Sequence, residues 1–576
     1  MYSEEENVQI VVGLLKEHNI KRIIISPGAT NISFSASVQS DDFFEIYSCV
    51  DERSAAYMAC GLAKETGEPV VLTCTGATAS RNYVPGLTEA YYSKLPIIAI
   101  TATQHLGRVE QNVAQVIDRS IQLKDTVKKS IQLTSIQTDE DRWACNLKVN
   151  DALLECKRDE GGPVLINLVT TYSNKFKEGE IPKQKKINRY EIEDSLPLID
   201  EKYSRVAVFV GSHAKFTDSL KNKIEKFCEK YNAIVLCDHT SNYNGKYKIL
   251  GNLVCGQEGR QSENKNIDLV IDIGNITGSY MSFYAKEIWR VNKDGEIRDT
   301  YKKLKNVFDM SEEQFFDEYN KLSENTKIEY YENFSDEDAR LRTKMQDVEF
   351  PFSNIWIAQN TINRIEENSI VHLAILNTLR SWNYFKNEKN IKFYSNTGGF
   401  GIDGILSTAI GTSLCTNENV YCFIGDLAFF YDMNSIGNKN IKKNLRILLI
   451  NNGCGIEFHN YNHRAVNVAN STGLSLEYFG GDGHFGNKSN VLVKHYSEDL
   501  GFEYLTASNK DEFEKNINEF VKKESDKPII FEVFTNAEDE SNALQQINNL
   551  EVSAKTIVKK IIGDKGVKIA KKILRR

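Results

Sequence analysis

The stretch 420–455 constrains the fold of this chain more than any other part of its sequence. An apolar run, Val420–Ile424, is followed two residues later by Asp426. After a segment with helical spacing, a second apolar run, Leu445–Ile450, is followed two residues later by Asn452. This order predicts a strand, a helix and a second strand parallel to the first. Both polar residues then lie at the carboxyl ends of parallel strands, where open α/β sheets bind ligands.

The side chains at these strand ends predict a magnesium site. The carboxylate of Asp426, the amide of Asn452 and a nearby backbone carbonyl are hard oxygen ligands. Mg²⁺ prefers such ligands and keeps further positions for water and for phosphate oxygens. The motif therefore predicts a metal-bridged diphosphate. The alternative is an ordinary turn from a strand into a helix, with Gly425 and Asp426 at the helix entrance.

Composition narrows the class of protein. A chain of 576 residues is too long for one hydrophobic core and predicts about two to four domains. The net charge of −8 argues against a nucleic-acid-binding protein, and no apolar run reaches the length of a membrane span. The 11 cysteines form no CxxC pair, which is typical of buried reduced thiols, and the first residues are acidic, unlike a signal peptide. These features predict a cytoplasmic protein.

Apolar strands alternate with amphipathic helices in three blocks of the chain, 1–180, 195–347 and 352–550. Such alternation predicts three doubly wound α/β domains, each built on a mainly parallel sheet. The last segment, 551–576, interleaves Lys and Arg with Ile, Val and Leu. This pattern is typical of a basic amphipathic helix that contacts a membrane surface or a partner. The alternative is a solvated helix packed on its own subunit.

Two distant motifs resemble the two cofactor-binding domains of thiamine diphosphate (ThDP) enzymes. The segment DERSA, 51–55, follows an apolar strand and opens a helix rich in small residues, as in their pyrimidine-binding domain. The stretch 420–455, with about 26 residues from Asp426 to Asn452, resembles their GD…NN signature. Further segments resemble the MenD family of ThDP-dependent synthases from the menaquinone pathway: SPG (26–28), GIDGILSTAIG (401–411) and WRVNKDGEIRD (289–299). The resemblance covers nearly the whole chain in the same order.

The resemblance implies a set of cofactor-binding residues. Glu52 would hydrogen-bond the aminopyrimidine ring and exchange a proton with it. Asp426, Asn452 and the backbone carbonyl of Cys454 would hold Mg²⁺ and the diphosphate. Ile402 would lie under the bent cofactor. The other residues expected against the cofactor are Thr75, Thr78, Asn82, Gly425, Leu427, Ala428, Gly455 and Ile456.

Three further residues are candidates for catalysis. The resemblance places Gln115 near the substrates. His105 follows a predicted strand, and His459 lies on the loop after Asn452. An imidazole in these positions could move protons or bind hydroxyl groups of an acceptor, and on the same ground His463 is a candidate for substrate binding. The alternative is that these histidines lie on surface loops and have no catalytic role.

A second Gly-Asp-Gly pattern, 481–483, is predicted to be a glycine-rich loop. No apolar strand precedes it, and no strand that ends in two asparagines follows at the right distance. Such a loop could serve as a lid over an active site.

The departures from the MenD family concern the substrate. Members of the family carry arginines that bind carboxylates, including the distal carboxylate of 2-oxoglutarate. In this chain the segment that ends in Asn31 lacks an arginine, and the positions of two others are Trp382 and Thr397. Neither Thr nor Trp replaces a bidentate guanidinium, so these differences favour a small, pyruvate-like donor. Arg380 and Thr378 complete the expected substrate-binding residues.

The resulting prediction is a ThDP- and Mg²⁺-dependent enzyme that decarboxylates a 2-oxo acid and transfers the acyl unit to the carbon of an unknown acceptor. The alternatives are a MenD-type synthase that uses 2-oxoglutarate, a simple 2-oxo acid decarboxylase, and an inactive protein with the same fold. The resemblance implies a homodimer as the smallest active unit, because the two halves of the cofactor meet across a subunit interface in this family. A tetramer is a larger assembly that the resemblance allows.

Overall fold

The computed structural model describes residues 1–213, 216–260, 262–279, 281–322, 328–483 and 488–551. The chain divides into two compact units. The first comprises Met1–Asp194 and Asp294–Asp309, and the second comprises Ser195–Lys293 and the chain from Met310 onward. Among the described residues, no helix is both long enough and apolar enough to cross a membrane. The predicted basic tail, from residue 552 onward, lies outside the described residues.

The first unit alternates strands with helices, as the sequence pattern predicts. Along residues 1–194 its elements are β1 (Tyr2–Ser3), α1 (Glu6–Glu17), β2 (Arg22–Ile25), α2 (Ile32–Gln39), β3 (Glu45–Ser48), α3 (Glu52–Thr66), β4 (Val70–Thr75), α4 (Thr78–Asn82), α5 (Val84–Tyr92), β5 (Ile97–Thr103), β6 (Lys129–Leu133), α6 (Asp139–Glu155), β7 (Val164–Val169), β8 (Phe176–Lys177) and β9 (Asn188–Tyr190).

A six-stranded parallel sheet with the order β3-β2-β4-β5-β7-β6 organises this unit. Strands β5 and β7 are buried along their whole length, as expected for a parallel sheet covered by helices on both faces. One face packs against α1, α2 and α6, and the other face packs against α3 and α5. Because successive side chains of a strand point to opposite faces, each apolar run contributes to both cores.

The second unit begins with a further set of parallel strands. The elements that follow β9 in the chain are β10 (Val206–Val210), α7 (Asp218–Tyr231), β11 (Ala233–Cys237), β12 (Lys248–Leu250), α8 (Asn252–Cys255), β13 (Asn266–Ile273), β14 (Tyr284–Asn292), β15 (Leu304–Asp309), α9 (Glu312–Leu322) and α10 (Glu329–Gln346). Strands β12, β11, β10, β13 and β14 lie side by side in this order, and each neighbouring pair is parallel. Strand β15 belongs to the first unit, where it pairs in parallel with β9.

The second unit also contains a six-stranded parallel sheet with the order β17-β16-β18-β19-β21-β20. Its elements are α11 (Asn354–Thr361), β16 (Ile370–Leu373), α12 (Asn377–Trp382), β17 (Lys392–Tyr394), α13 (Ile405–Leu414), β18 (Val420–Gly425), α14 (Asp426–Asp432), β19 (Leu445–Asn451), α15 (Arg464–Thr472), α16 (Leu492–Asp499), β20 (Glu503–Ala507), α17 (Lys510–Phe520), β21 (Ile529–Phe534) and α18 (Ala537–Asn548). Strands β18 and β19 are parallel neighbours, so the strand–helix–strand unit predicted from the sequence is confirmed.

The two six-stranded sheets have the same strand order. Numbered by chain order within each sheet, that order is 2-1-3-4-6-5. The direction of winding reverses between the first and third strands, which are β2 and β4 in one sheet and β16 and β18 in the other. Open α/β sheets bind ligands at such a switch point, outside the carboxyl ends of the strands. The predicted fold class, several mainly parallel α/β domains, is confirmed, whereas the predicted domain boundaries stay a prediction.

The contact between α3 and α5 depends on a missing side chain at Gly86. A Cβ atom at Gly86 would lie 2.4 Å from the Cβ of Ala56, whereas a Cβ at Gly61 in α3 would meet no atom within 4 Å. We therefore expect Gly86→Ala to lower the free energy of unfolding of the first unit by about 1–3 kcal/mol through overpacking. The matched Gly61→Ala should raise it by about 0.5–1 kcal/mol through helix propensity. Thermal melts of both variants test this, and equal changes in melting temperature would contradict it.

Candidate active site

In the second unit, a buried carboxylate joins the ends of two neighbouring strands. Asp426 is the first residue of α14 and is 1% exposed. Its Oδ2 accepts a hydrogen bond of 2.7 Å from the backbone N–H of Gly453, and its Oδ1 accepts one of 2.9 Å from the N–H of Leu427. Burial raises the pKa of Asp426 to about 6. A cation bound nearby would lower that pKa, because an opposite charge favours the ionised carboxylate.

The turn after β19 supplies the other oxygen ligands that were expected. The side-chain oxygen of Asn452 accepts a hydrogen bond of 3.3 Å from the backbone N–H of Cys454, and Gly453 between them has φ of +78°. Burial raises the pKa of the Cys454 thiol to about 12, so its sulfur is a neutral thiol at neutral pH and its carbonyl is the harder ligand. A carboxylate, an amide oxygen and a carbonyl next to one another in this fold are a donor set that fits Mg²⁺.

The other residues expected against the diphosphate flank this turn or the start of α13. Gly425 ends β18, Leu427 and Ala428 follow in α14, and Gly455 and Ile456 follow the turn after β19. Ile402 comes shortly before α13 and packs its half-buried side chain against the core of the sheet. The remaining part of that side chain is open to solvent and available to a ligand. The contacts of these residues with a cofactor stay predictions.

The loop Gly480–Asp482 lies directly against the turn after β19. The backbone N–H of Gly455 donates to the carbonyl oxygen of Gly481 at 3.2 Å. The Nε2 of His459 lies 2.7 Å from Oδ1 of Asp482 and 3.1 Å from the carbonyl oxygen of Gly480. Both neighbours are acceptors, so Nε2 carries a proton and donates it. Sequence reasoning treated this segment as a loop without assigning a role to Asp482, because the contact joins residues far apart in the chain.

Helix α12 carries three of the expected substrate-binding residues, Thr378, Arg380 and Trp382, and all of its side chains are buried. Arg380 donates from Nη2 to Oε1 of Glu457 at 2.5 Å, with both side chains largely buried. Trp382 is fully buried and stacks on Phe423 with 4.0 Å between ring centroids. Thr378 is also buried and accepts a hydrogen bond of 3.3 Å from the side chain of Asn354. In this arrangement the guanidinium of Arg380 already has a carboxylate partner.

A buried glutamate that sequence reasoning missed supports the start of α12. Glu540 accepts hydrogen bonds from the backbone N–H of Asn354 at 3.0 Å and from the hydroxyl of Thr535 at 2.8 Å, and its Oε2 lies 3.5 Å from the side-chain nitrogen of Asn377. Burial raises the pKa of Glu540 to about 7. Leu376, just before the helix, has φ of +68°, a conformation that costs about 1–3 kcal/mol in a non-glycine residue. Such backbone strain is typical of ligand-binding turns.

Thr397 lies on the loop that follows β17 and is 4% exposed. Its hydroxyl is 3.3 Å from the hydroxyl of Ser212, two residues after β10, within the same unit. A Cβ atom at Gly278 would lie 3.5 Å from the methyl group of Thr397 and 2.5 Å from a methyl group of Leu379. Thr397 is therefore closely packed between two loops, and its contact with a substrate stays a prediction.

In the first unit, Glu52 is the first residue of α3, at the carboxyl end of β3. Asp51 caps this helix, because its carboxylate accepts from the backbone N–H of Arg53 at 3.2 Å. Glu52 is half-buried, and its Oε2 accepts a hydrogen bond of 3.2 Å from the side chain of Asn82 in α4. Glu52 and Asn82, which were both predicted to contact the cofactor, are thus brought together from separate helices.

The turn around Thr75 is closely packed. The hydroxyl of Thr30 donates to the carbonyl oxygen of Ala102 at 2.8 Å, so the hydroxyl of Thr75, 2.5 Å away, is the donor to Thr30. A Cβ atom at Gly28 would lie 2.5 Å from the Cβ of Thr75. Asn31 is 1% exposed, donates to the carbonyl of Ser26 at 3.1 Å, and has a side-chain oxygen without a hydrogen-bond partner among the described residues. These contacts hold the ends of β2 and β4 together at the switch point.

The remaining candidates lie on turns and loops. Thr78 is exposed and starts α4, after Ala77 with φ of +58°. Gln115 is exposed with φ of +63°, and its carbonyl oxygen would lie 3.5 Å from a Cβ at Gly76. His105 and His463 each accept a backbone N–H at 3.1 Å through Nδ1 and so cap a turn or a helix. These caps give both histidines a local structural role, and their roles in catalysis and binding stay predictions.

Comparison with known proteins identifies the relatives of this chain. Residues 6–122 match the family described as thiamine pyrophosphate enzyme, N-terminal TPP binding domain. The 2-succinyl-5-enolpyruvyl-6-hydroxy-3-cyclohexene-1-carboxylate synthase of Bacteroides fragilis is 30% identical over 581 residues, covering 95% of this chain and 99% of the relative. The synthase of the same name from Bacteroides thetaiotaomicron is 29% identical over 567 residues, covering 95% and 98%.

The matches to the two synthases cover 95% of this chain, and the family match lies within the first unit. The turn at Asp426 and Asn452 and the pair Glu52 and Asn82 lie at the carboxyl ends of parallel strands, as the family resemblance implies. The chain therefore belongs to the MenD family of thiamine diphosphate-dependent enzymes.

Proposed function

We propose that this protein catalyses a MenD-type reaction, in which a 2-oxo acid loses CO₂ and the remaining acyl unit is joined to a carbon atom of an acceptor. The observation that carries this proposal is the hydrogen bond between Asp426 and Gly453. This bond holds the carboxylate next to the turn after β19, so that several oxygen ligands lie together near the switch point of a parallel sheet. The pairing of Glu52 with Asn82 in the first unit supports it, because a carboxylate in that position suits a pyrimidine ring nitrogen. A homodimer, with a tetramer as a larger form, is part of the proposal.

The residues of the chain would hold and tune the cofactor. Asp426, Asn452 and the carbonyl of Cys454 would bind Mg²⁺ and thereby the diphosphate. When bound, ThDP supplies the carbon nucleophile and the electron sink for decarboxylation. The carboxylate of Glu52 would exchange a proton with a ring nitrogen of the pyrimidine, and Asn82 would hold that carboxylate in place. His459, held by Asp482 through its Nε2–H, presents Nδ1 as the nitrogen that can accept a proton.

The favoured donor in this proposal is 2-oxoglutarate. The names of the relatives include a succinyl group, which is the four-carbon unit that remains when 2-oxoglutarate loses CO₂. Their matches cover nearly the whole chain. This donor belongs to the MenD-type alternative that the sequence left open. The names of the relatives support that alternative better than they support a pyruvate-like donor.

A second candidate is a smaller monocarboxylic donor, and one observation favours it. Arg380 is the arginine of α12, and its guanidinium is engaged by Glu457 at 2.5 Å. The neighbouring position that carries an arginine in the family is Trp382, whose ring stacks in the core on Phe423. In this arrangement Glu457 competes with the distal carboxylate of a dicarboxylic donor for Arg380, and also repels that carboxylate. If no acceptor gives a product, the protein is a simple 2-oxo acid decarboxylase.

Replacing Glu52 tests the proposed chemistry. Glu52→Gln should reduce CO₂ release from the active 2-oxo acid by at least about a hundredfold, because general acid–base contributions are typically of this size or larger. Binding of ThDP, measured by calorimetry, should weaken much less. Glu65→Gln, at the exposed end of the same helix, is the matched control and should retain activity. Unchanged turnover of Glu52→Gln would contradict the mechanism.

Replacing Asp426 tests the metal site. Asp426→Asn removes a buried negative charge, but it also replaces one of the two oxygens that accept backbone N–H groups with an amide nitrogen. These effects oppose each other, so the metal-free protein should melt close to the temperature of the natural protein at pH 7.5. The rise in melting temperature that Mg²⁺ and ThDP together produce in the natural protein should be lost, because the amide is a weaker Mg²⁺ ligand than the carboxylate. Asp511→Asn, at an exposed position in α17, is the control. A full Mg²⁺-dependent shift in Asp426→Asn would show that the metal, if bound, is held elsewhere.

Replacing Glu457 distinguishes the two donors. CO₂ release is first compared for pyruvate and 2-oxoglutarate in the natural protein with Mg²⁺ and ThDP. Glu457→Gln should then raise the kcat/KM for 2-oxoglutarate relative to that for pyruvate by about tenfold or more, since a hydrogen bond to a charged group contributes about 1.5–3 kcal/mol. The double variant Arg380→Gln/Glu457→Gln should lose this gain. An unchanged ratio would mean that Arg380 does not contact the donor.

A further inference from the structure

A cavity of about 290 Å³ lies in the first unit, beyond the carboxyl end of β5. Its polar lining comes from Thr103 at the end of β5, Gln132 in β6, Asn167 in β7 and Arg119 on the loop between β5 and β6. Its apolar lining includes Leu106 on that same loop. None of these residues has a role in the proposed reaction.

Arg119 is a buried cation to which the described residues supply no hydrogen-bonded anion. The residue is 6% exposed, and its Nη1 makes no hydrogen bond to the described residues. Burial, together with a smaller effect of the nearby Arg81, lowers the pKa of Arg119 to about 10. Cys74 would stabilise the cation only as a thiolate, but burial raises the pKa of Cys74 to about 12, so its thiol is neutral at pH 7.

Such an arrangement is costly for a protein without a ligand. A buried ion that lacks a partner destabilises the fold, because the charge has lost its contact with water and gained none in return. The neighbouring amide does not provide a partner, because the side-chain oxygen of Asn167 accepts from Thr101 at 2.8 Å and its nitrogen faces the carbonyl of Arg119 at 3.4 Å. A guanidinium is well matched to a carboxylate or a phosphate, which it binds through two parallel hydrogen bonds.

The charges around the cavity distinguish between these two anions. Glu110 and Asp118 also line it. The backbone N–H of Ser120 donates to Asp118 at 2.8 Å and lowers the pKa of that carboxyl, which is therefore ionised at neutral pH. Acidic side chains on the lining repel a dianion such as phosphate more strongly than a monoanion. The apolar wall in turn favours an organic acid.

We propose that this cavity is a binding site for a small monocarboxylate, held by the guanidinium of Arg119. The site would be separate from the residues that hold ThDP and Mg²⁺. Gln115 lies four residues before Arg119 on the same loop, so an anion bound at Arg119 would also hold the loop that carries this candidate residue. The binding itself does not depend on the proposed function and can be measured in the absence of ThDP.

Arg119→Met tests the proposal, because removing this buried charge should stabilise the ligand-free protein while abolishing carboxylate binding. The full-length protein without ThDP is titrated with acetate and, separately, with pyruvate, inorganic phosphate and chloride at equal ionic strength, and melting temperature and heat of binding are recorded. In the natural protein the two carboxylates should bind saturably and raise the melting temperature, and phosphate and chloride should not. In Arg119→Met the ligand-free melting temperature should rise, and the carboxylate-induced shift should disappear.

Two further variants keep the test decisive. Arg108→Met, at an exposed position where the guanidinium bonds only the side chain of Gln104 in the described structure, should behave like the natural protein. Arg119→Lys keeps the charge without the planar fork and should weaken carboxylate binding by about tenfold; it decides the question if Arg119→Met does not fold. The proposal is overturned if carboxylates do not bind the natural protein, if phosphate binds equally well, or if Arg119→Met or Arg119→Lys binds carboxylates unchanged.

Discussion

The hydrogen bond from the backbone of Gly453 to the carboxylate of Asp426 is the interaction on which the chemistry of the second unit depends. It fixes the ends of β18 and β19 relative to each other, and it opposes the effect of burial, which raises the pKa of Asp426 to about 6. A divalent cation would compensate for that burial. The loop Gly480–Asp482 then packs against the same turn, so that His459 is oriented by contacts that start from this turn.

Two buried arginines differ in how the charge of the guanidinium is compensated. Arg380 is paired with Glu457, so its charge is neutralised within the protein. Arg119 has no such partner among the described residues and lines a cavity. A neutralised guanidinium contributes to packing and selects against ligands that would compete with its partner. An uncompensated one favours an anionic ligand, because the charge has already been removed from water.

Membership of the MenD family determines less about the substrate than about the cofactor. Folds of this class support many reactions, and the substrate is selected by side chains at the ends of the strands. Here the turn at Asp426 and the pair Glu52 and Asn82 follow the family resemblance. On the buried helix α12, in contrast, the arginine is paired with Glu457 and the tryptophan stacks on Phe423.

The sequence by itself determined the α/β class, the strand–helix–strand unit around Asp426 and the family, because apolar periodicity and motif spacing are local properties of the chain. It located Glu52 and Asn452 for the same reason. Only the tertiary structure showed that Glu457 pairs with Arg380, that Asp482 holds His459 and that Glu540 supports α12. These contacts join residues that are up to about 160 positions apart, so their partners depend on how the strands are ordered in the sheet, and no local pattern records that order.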